Sequence, residues 1–210
     1  MAREGSAQTV SPIRFRSFAL GTGKLALRPQ PTFLQTLPDF LREGLDIVFV
    51  GINPSVNSAR AGHYFYTSTN RFWPAINLSG LFPIPMTRET DYRALEFNIG
   101  FTDVAKRPSA SASMMTAKDF REGTLLLKEK LRRYQPRIVC FNGLTAYNAY
   151  LKYSESVKET AKLGLQRRTI GRSKVFVVPS PSPANAAFSL ETLAGWYKQL
   201  KALRDEIKRQ

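Results

Sequence analysis

The sequence predicts a single α/β domain built on a central, mostly parallel, four-stranded sheet flanked by helices. Three observations lead there: four short apolar runs, helical patterns between them, and a length of 210 residues. That length suits one full core better than two. The runs are Asp46 to Val50, Asn98 to Val104, Arg137 to Asn142 and Lys174 to Val178. Their near-continuous apolar character is that of strands covered on both faces. Strands alternating with helices favour parallel pairing through crossovers.

Helical patterns cover Asn70 to Ser79, Thr116 to Tyr134, Leu144 to Lys152 and Leu190 to Lys208. The second opens with Thr116 and an acid three residues on, Asp119, which reads as a capping box. Its Phe120, Leu127 and Leu131 fall near one stripe. The last follows Ser189, a good N-cap, and repeats Leu193, Trp196, Tyr197, Leu200 and Leu203 at helical spacing. Phe33 to Leu41 reads as a short helix or turn leading into the domain. Residues 1–30 are basic and aperiodic, so a flexible arm is expected there, ahead of a domain spanning 31–210.

Charge narrows the partner. The chain carries 31 Lys+Arg against 16 Asp+Glu, a net charge of +15. An excess of that size predicts an anionic polymer, and nucleic acid leads because no basic amphipathic helix points to a membrane surface. No apolar run approaches the roughly 20 residues of a membrane span, and the first residues lack a signal-peptide core. The expectation is an intracellular monomer, cytoplasmic in a bacterium and nuclear in a eukaryote. Cys140 is the single cysteine; it excludes a disulfide framework and a cysteine-ligated metal, and its apolar neighbours make it a buried filler. His63 is the single histidine, a poor basis for a metal site or a Ser-His-Asp triad. Metal-free and cofactor-free chemistry is therefore expected. His63 itself reads as surface or structural, with a place near a phosphate or the pocket as its alternative.

In a parallel sheet, ligands bind beyond the carboxyl ends of the strands. The segments leaving those ends are Gly51-Ile52-Asn53-Pro54-Ser55, Asp103 to Pro108, Asn142-Gly143 and Pro179 to Pro183. The first is neither a dinucleotide fingerprint nor a P-loop. It is followed by Phe65-Tyr66 and by Asn70-Arg71-Phe72-Trp73. With these motifs the chain resembles the mismatch-specific uracil/thymine-DNA glycosylases of the uracil-DNA glycosylase superfamily. In that family a Gly-Ile-Asn-Pro loop precedes an aromatic residue and then Asn-x-Phe-Trp. Asn98 to Thr102, Phe120 to Gly123, Tyr134 to Ile138 and Phe141-Asn142-Gly143 also look like family segments in the right order. The likeness spans Thr36 to Ile207.

The resemblance implies a glycosylase-like fold and hydrolysis of the N-glycosidic bond of uracil, with mismatched thymine as a further substrate. The DNA would be double-stranded, with single-stranded DNA as an alternative. It assigns Asn53 to positioning the attacking water, since an amide offers an acceptor without being a base. A turn-forming Asn before proline is the structural alternative. Phe65 matches the aromatic on which the flipped pyrimidine stacks; core packing is its alternative. Amides of the loop around Gly51, Ile52 and Ser55 would bind uracil oxygens, Ser58 lines the family pocket, and Asn142 is counted with the substrate-binding residues. Ser180, Pro181, Ser182, Pro183, Ala184 and Asn185 stand where the family has its DNA-intercalation loop. Relatives place Leu or Arg as a wedge where this chain has Ala184.

Asp103 departs from the family pattern. It follows a strand at the expected site, where it would serve as general base or counter-charge; a salt bridge to Lys106 or Arg107 is its structural alternative. No lysine is placed as an attacking amine, so the expected enzyme is monofunctional. Two rivals remain: a non-catalytic basic DNA-binding module of the same fold, and a Rossmann-type nucleotide enzyme.

Overall fold

The computed structural model describes residues 35–210; the arm expected at 1–30 lies outside them. The order of strands and helices is β1 (Ile47–Gly51), α1 (Val56–Ala61), α2 (Phe72–Ser79), β2 (Ile99–Asp103), α3 (Ala117–Tyr134), β3 (Ile138–Asn142), α4 (Leu144–Ser154), β4 (Gly164–Ile170), β5 (Ser173–Val178) and α5 (Leu190–Arg209). Two 3₁₀ stretches, Asp91–Phe97 and Ala112–Met114, precede β2 and α3.

The sheet has five strands, in the order β2-β1-β3-β5-β4, where the sequence predicts four. Four run parallel, and the additional strand, β4, pairs antiparallel with β5. β4 hides from a hydrophobic pattern because it is an edge. Its middle residues Arg167, Arg168 and Thr169 are exposed, the charged dressing that keeps an open edge from pairing with other chains. The opposite edge is closed differently. Phe40 and Phe101 exchange backbone hydrogen bonds (2.9 and 3.2 Å), so the segment expected as a helix or turn before β1 is extended and covers β2. Pro38 explains this, since it disfavours helical backbone at Leu37 and has no N–H to give a helix.

β1, β2 and β3 are buried throughout, as their composition requires. Alternate residues feed two cores. Ile47, Phe49, Ile99, Phe101, Ile138, Cys140, Phe176 and Val178 face α2 and α5. Val48, Val50, Val139, Phe141, Val175 and Val177 face α3 and α4. Cys140 is the buried filler expected of it.

The caps read from the sequence are present. Thr116 and Asp119 form a reciprocal capping box at α3, and Ser189 accepts from the Thr192 N–H at α5. Leu127 and Leu131 are buried on α3, while Phe120 is partly so. Gly123 lets α3 close on the segment that follows β2: a Cβ there would lie 2.1 Å from the Val104 carbonyl. The α2 pattern begins two residues later than expected, at Phe72, whose N–H is taken by the Asn70 side chain (2.9 Å). The six-residue α1 was not expected. It starts because the Ser55 hydroxyl accepts from the Ser58 N–H (3.0 Å), an N-cap directly after Pro54.

Candidate active site

Sheet register builds the site. The last pair of the β1–β2 ladder sets Gly51 opposite Asp103, and the last pair of β3–β5 sets Asn142 opposite Val178. The chain leaves all four parallel strands at the same end, around a cavity of about 330 Å³. Thirteen of the fourteen predicted site residues line it: Gly51, Ile52, Asn53, Ser55, Ser58, Phe65, Asp103 and Asn142, with the run from Ser180 to Ala184. Asn185 is not among the lining residues; its side chain donates to the Ser180 carbonyl (3.0 Å).

Asn53 is held by one end. Its Nδ2 lies within hydrogen-bonding distance of the Pro54 carbonyl (3.1 Å), the Arg107 carbonyl (3.0 Å) and Ser109 Oγ (2.8 Å). Three acceptors around an NH₂ leave Oδ1 as the end free to accept a hydrogen bond. The turn role weighed for Asn53 is thus only part of what its amide does.

Asp103 is 6% exposed, and its Oδ2 has no hydrogen-bond partner. Oδ1 packs against Gly51 so closely that a Cβ on residue 51 would stand 2.5 Å from it. Of the two cations weighed as partners, Arg107 is engaged elsewhere, by Asp119 (2.7 and 2.9 Å). Lys106 stands 3.6 Å from Asp103 but 2.8 Å from Asp39. Burial pushes the Asp103 carboxyl up to about 6, against the pull of Lys106 and with repulsion from Asp39 adding to it. A carboxylate poised there is ionised at neutral pH and still basic enough to take a proton.

Phe65 has left-handed backbone, φ 53°, which is uncommon outside glycine and disfavoured for a bulky side chain. Its surroundings over-determine it. The Tyr64 N–H donates to Asp91 (2.6 Å), the Tyr66 N–H to Ser58 Oγ (3.1 Å), and the Trp73 indole to the Tyr64 carbonyl (3.1 Å). His63 joins this frame through Nδ1 to Asp91 (2.7 Å), a structural position for the single histidine. The Phe65 ring stacks on Phe72, centroids 3.9 Å apart and planes 14° apart. The ring therefore packs on the core, the structural alternative weighed for it, and also lines the cavity.

Ser55 and Ser58 are struts. The Ser55 hydroxyl donates to Ser58 Oγ (3.0 Å) as well as capping α1. Asn142, at the end of β3, is 3% exposed. The fully buried Tyr197 donates its hydroxyl to Asn142 Oδ1 (3.0 Å), which leaves Nδ2 without a partner at the cavity.

Arg71 was not singled out from the sequence, yet it holds the β5 loop. Its backbone N–H donates to the Pro181 carbonyl (3.1 Å), and its guanidinium donates to the carbonyls of Ser182 (3.1 Å), Asn185 (2.6 Å) and Phe188. The available signal was an arginine set at the start of an otherwise apolar helix. Pro183 and Ala184, at the tip of this loop, are exposed. Among the described residues no cluster of three potential metal-ligating side chains occurs, and no helix is long and apolar enough to cross a membrane.

The family model of the uracil DNA glycosylase superfamily matches residues 38–204. The chain belongs to the uracil DNA glycosylase superfamily. The fold agrees: a solution NMR structure of a candidate uracil DNA glycosylase from Methanosarcina acetivorans matches with a TM-score of 0.53. The two are 22% identical, and the match covers 83% of this chain and 98% of that one. For this superfamily member, glycosylase chemistry on DNA is the class of activity that membership suggests, and the cavity is where to look for it.

Proposed function

We propose that this chain hydrolyses the N-glycosidic bond of uracil flipped out of DNA, as a monofunctional glycosylase that starts base excision repair. One observation carries the reading. A single cavity gathers a free amide oxygen on Asn53, a buried carboxylate on Asp103 whose Oδ2 has no hydrogen-bond partner, and the ring of Phe65.

These groups fit the steps of the reaction. The extrahelical base stacks on Phe65, a contact any pyrimidine face can make. The bond from C1′ to the base breaks with its electron pair leaving on the base, and positive charge develops on the sugar. Asn142 Nδ2, with its amide oriented by Tyr197, donates to an oxygen of the departing anionic base. The N–H groups of Asn53 and Ser55 have no acceptor among the described residues and serve the same end. Water held by Asn53 Oδ1 then adds to C1′, and its proton passes to the Asp103 carboxylate. The products are free base and an abasic site. The loop from Ser180 to Asn185 meets the DNA backbone through hydroxyls and amides.

The test is single-turnover base release from an oligonucleotide carrying one uracil. Wild type should release uracil and leave an intact abasic strand, while Asn53→Ala should be slower by roughly a hundredfold with DNA affinity retained. Wild type that binds the DNA but releases no base would support the non-catalytic DNA-binding alternative instead. Duplexes with U:G, U:A and T:G, and single-stranded uracil, rank the substrates and show whether thymine is one of them.

A further inference from the structure

Asp39 does not line the cavity, but three donors converge on it. Thr102 Oγ1 and Lys106 Nζ approach Oδ1 at 2.8 Å each, and Lys130 Nζ approaches Oδ2 at 2.6 Å. Burial works to raise the Asp39 carboxyl, yet Lys106, Lys130 and Thr102 together hold it below the ordinary carboxylate value. It is therefore a fixed negative charge. The extended segment that carries it is anchored on β2 by the hydrogen bonds of Phe40.

Lys106 sits between two carboxylates and belongs mainly to one. Its ammonium also reaches the Tyr64 hydroxyl (3.4 Å) and lies 5.8 Å from the centre of that ring. The groups facing Asp103 are Lys106 from the loop after β2, Asp39 from the segment before β1, Lys130 from α3, and the Tyr64 phenol. Burial first, then the surrounding carboxylates, pushes the Tyr64 hydroxyl up, so it stays protonated. Lys106 is thus the nearest charge able to quench Asp103, and Asp39 is what draws it aside.

We propose that Asp39 is a positioning residue for the reaction: by holding the Lys106 ammonium at 2.8 Å on its own carboxylate, it keeps that ammonium 3.6 Å from Asp103 and preserves Asp103 as a proton acceptor. The proposal rests on the reading of Asp103 given above. Without Asp39, Lys106 gains its best remaining partner by closing on Asp103, and a close ammonium makes a carboxylate a weaker base.

The experiment is the pH dependence of single-turnover base release from a U:G duplex, using the full chain. Wild type should lose rate as pH falls through about 6, where Asp103 takes up a proton. In Asp39→Asn that limb should move down by about one pH unit, the scale of bringing a unit charge closer by a fraction of an ångström. In Lys106→Met it should move up, because the cation is gone. In the double variant, the downward shift from Asp39→Asn should shrink to the smaller part due to the direct repulsion of Asp103 by Asp39, since the rest acts through the lysine. Should Asp39→Asn fail to fold, Asp39→Ser carries the same expectations. A limb that stays put in the Asp39 variants, or shifts equally with and without Lys106, overturns the positioning role. Asp103→Asn in the same series separates the two readings. If it keeps the wild-type limb, the assignment of Asp103 falls and the role of Asp39 falls with it. If it abolishes the limb while Asp39→Asn leaves it unmoved, only the role of Asp39 falls.

Discussion

The wall of the cavity formed by β1 and β2 and the wall formed by the loop after β5 are held in opposite ways. In the first, side chains are tied inward: Asn53 by three acceptors, Ser55 and Ser58 by each other, Phe65 by the frame around Asp91. It also contains features that burden the fold, a buried carboxylate and a left-handed phenylalanine. In the second, the backbone is tied from below through Arg71, while Pro183 and Ala184 stand exposed and no charged residue occurs from Pro179 to Phe188. Strain and burial on one side suit chemistry, where position matters more than stability. An uncharged, supported loop on the other suits contact with a backbone. Substitutions of Asn53 and Asp103 in the first wall should therefore lower rate at constant DNA affinity, and those that loosen the second should do the reverse.

The largest effect should come from Asp103→Asn, roughly 10²–10⁴-fold in single-turnover base release, the usual scale for acid–base assistance. Combined with Asn53→Ala it should lose far less than the product of the two single losses, because both groups act on one water. Full additivity would separate them. Phe65→Ala should weaken turnover and binding of the extrahelical base together, by roughly 1–3 kcal/mol for the lost stack; a folded variant with unchanged kinetics would take the ring out of the site. Arg71→Met should be milder for chemistry, changing the saturated rate little while weakening duplex affinity about tenfold, within the range for charge-assisted hydrogen bonds. A drop in saturated rate as large as that of Asn53→Ala would erase the distinction between the walls.

The sequence displays this architecture unevenly, for physical reasons. The parallel strands are legible because burial on both faces demands continuous apolar runs such as Ile47 to Val50. β4 is not, because an edge strand is free to carry Arg167 and Arg168. α1 escapes because Val56 to Ala61 is too short to show a period and is fixed by a cap. The candidate site is legible in its location, since loops after parallel strands face one end and the family motifs fall on those loops. Its internal wiring is not. Arg71 meets carbonyls more than a hundred residues away, and Asp39 meets cations 67 and 91 residues along the chain. Neither leaves a local pattern, and the segment holding Asp39 reads as helix or turn until its pairing with β2 is seen.

A catalytic Asp103 would be kept for chemistry at the expense of the fold. Its carboxyl is raised from 3.8 to about 6, so the folded state favours the protonated form. Burying the ionised form should destabilise the protein by up to about 3 kcal/mol above that range, and the penalty should fade as pH drops through 6 and vanish below the unfolded value. The most direct measurement takes one preparation of Asp103→Asn and determines both single-turnover base release and unfolding free energy at neutral pH. A catalytic Asp103 predicts opposite signs, with slower release and a more stable protein whose gain shrinks on acidification. Near-normal release with lower stability would contradict it and make Asp103 a structural ion-pair partner of Lys106.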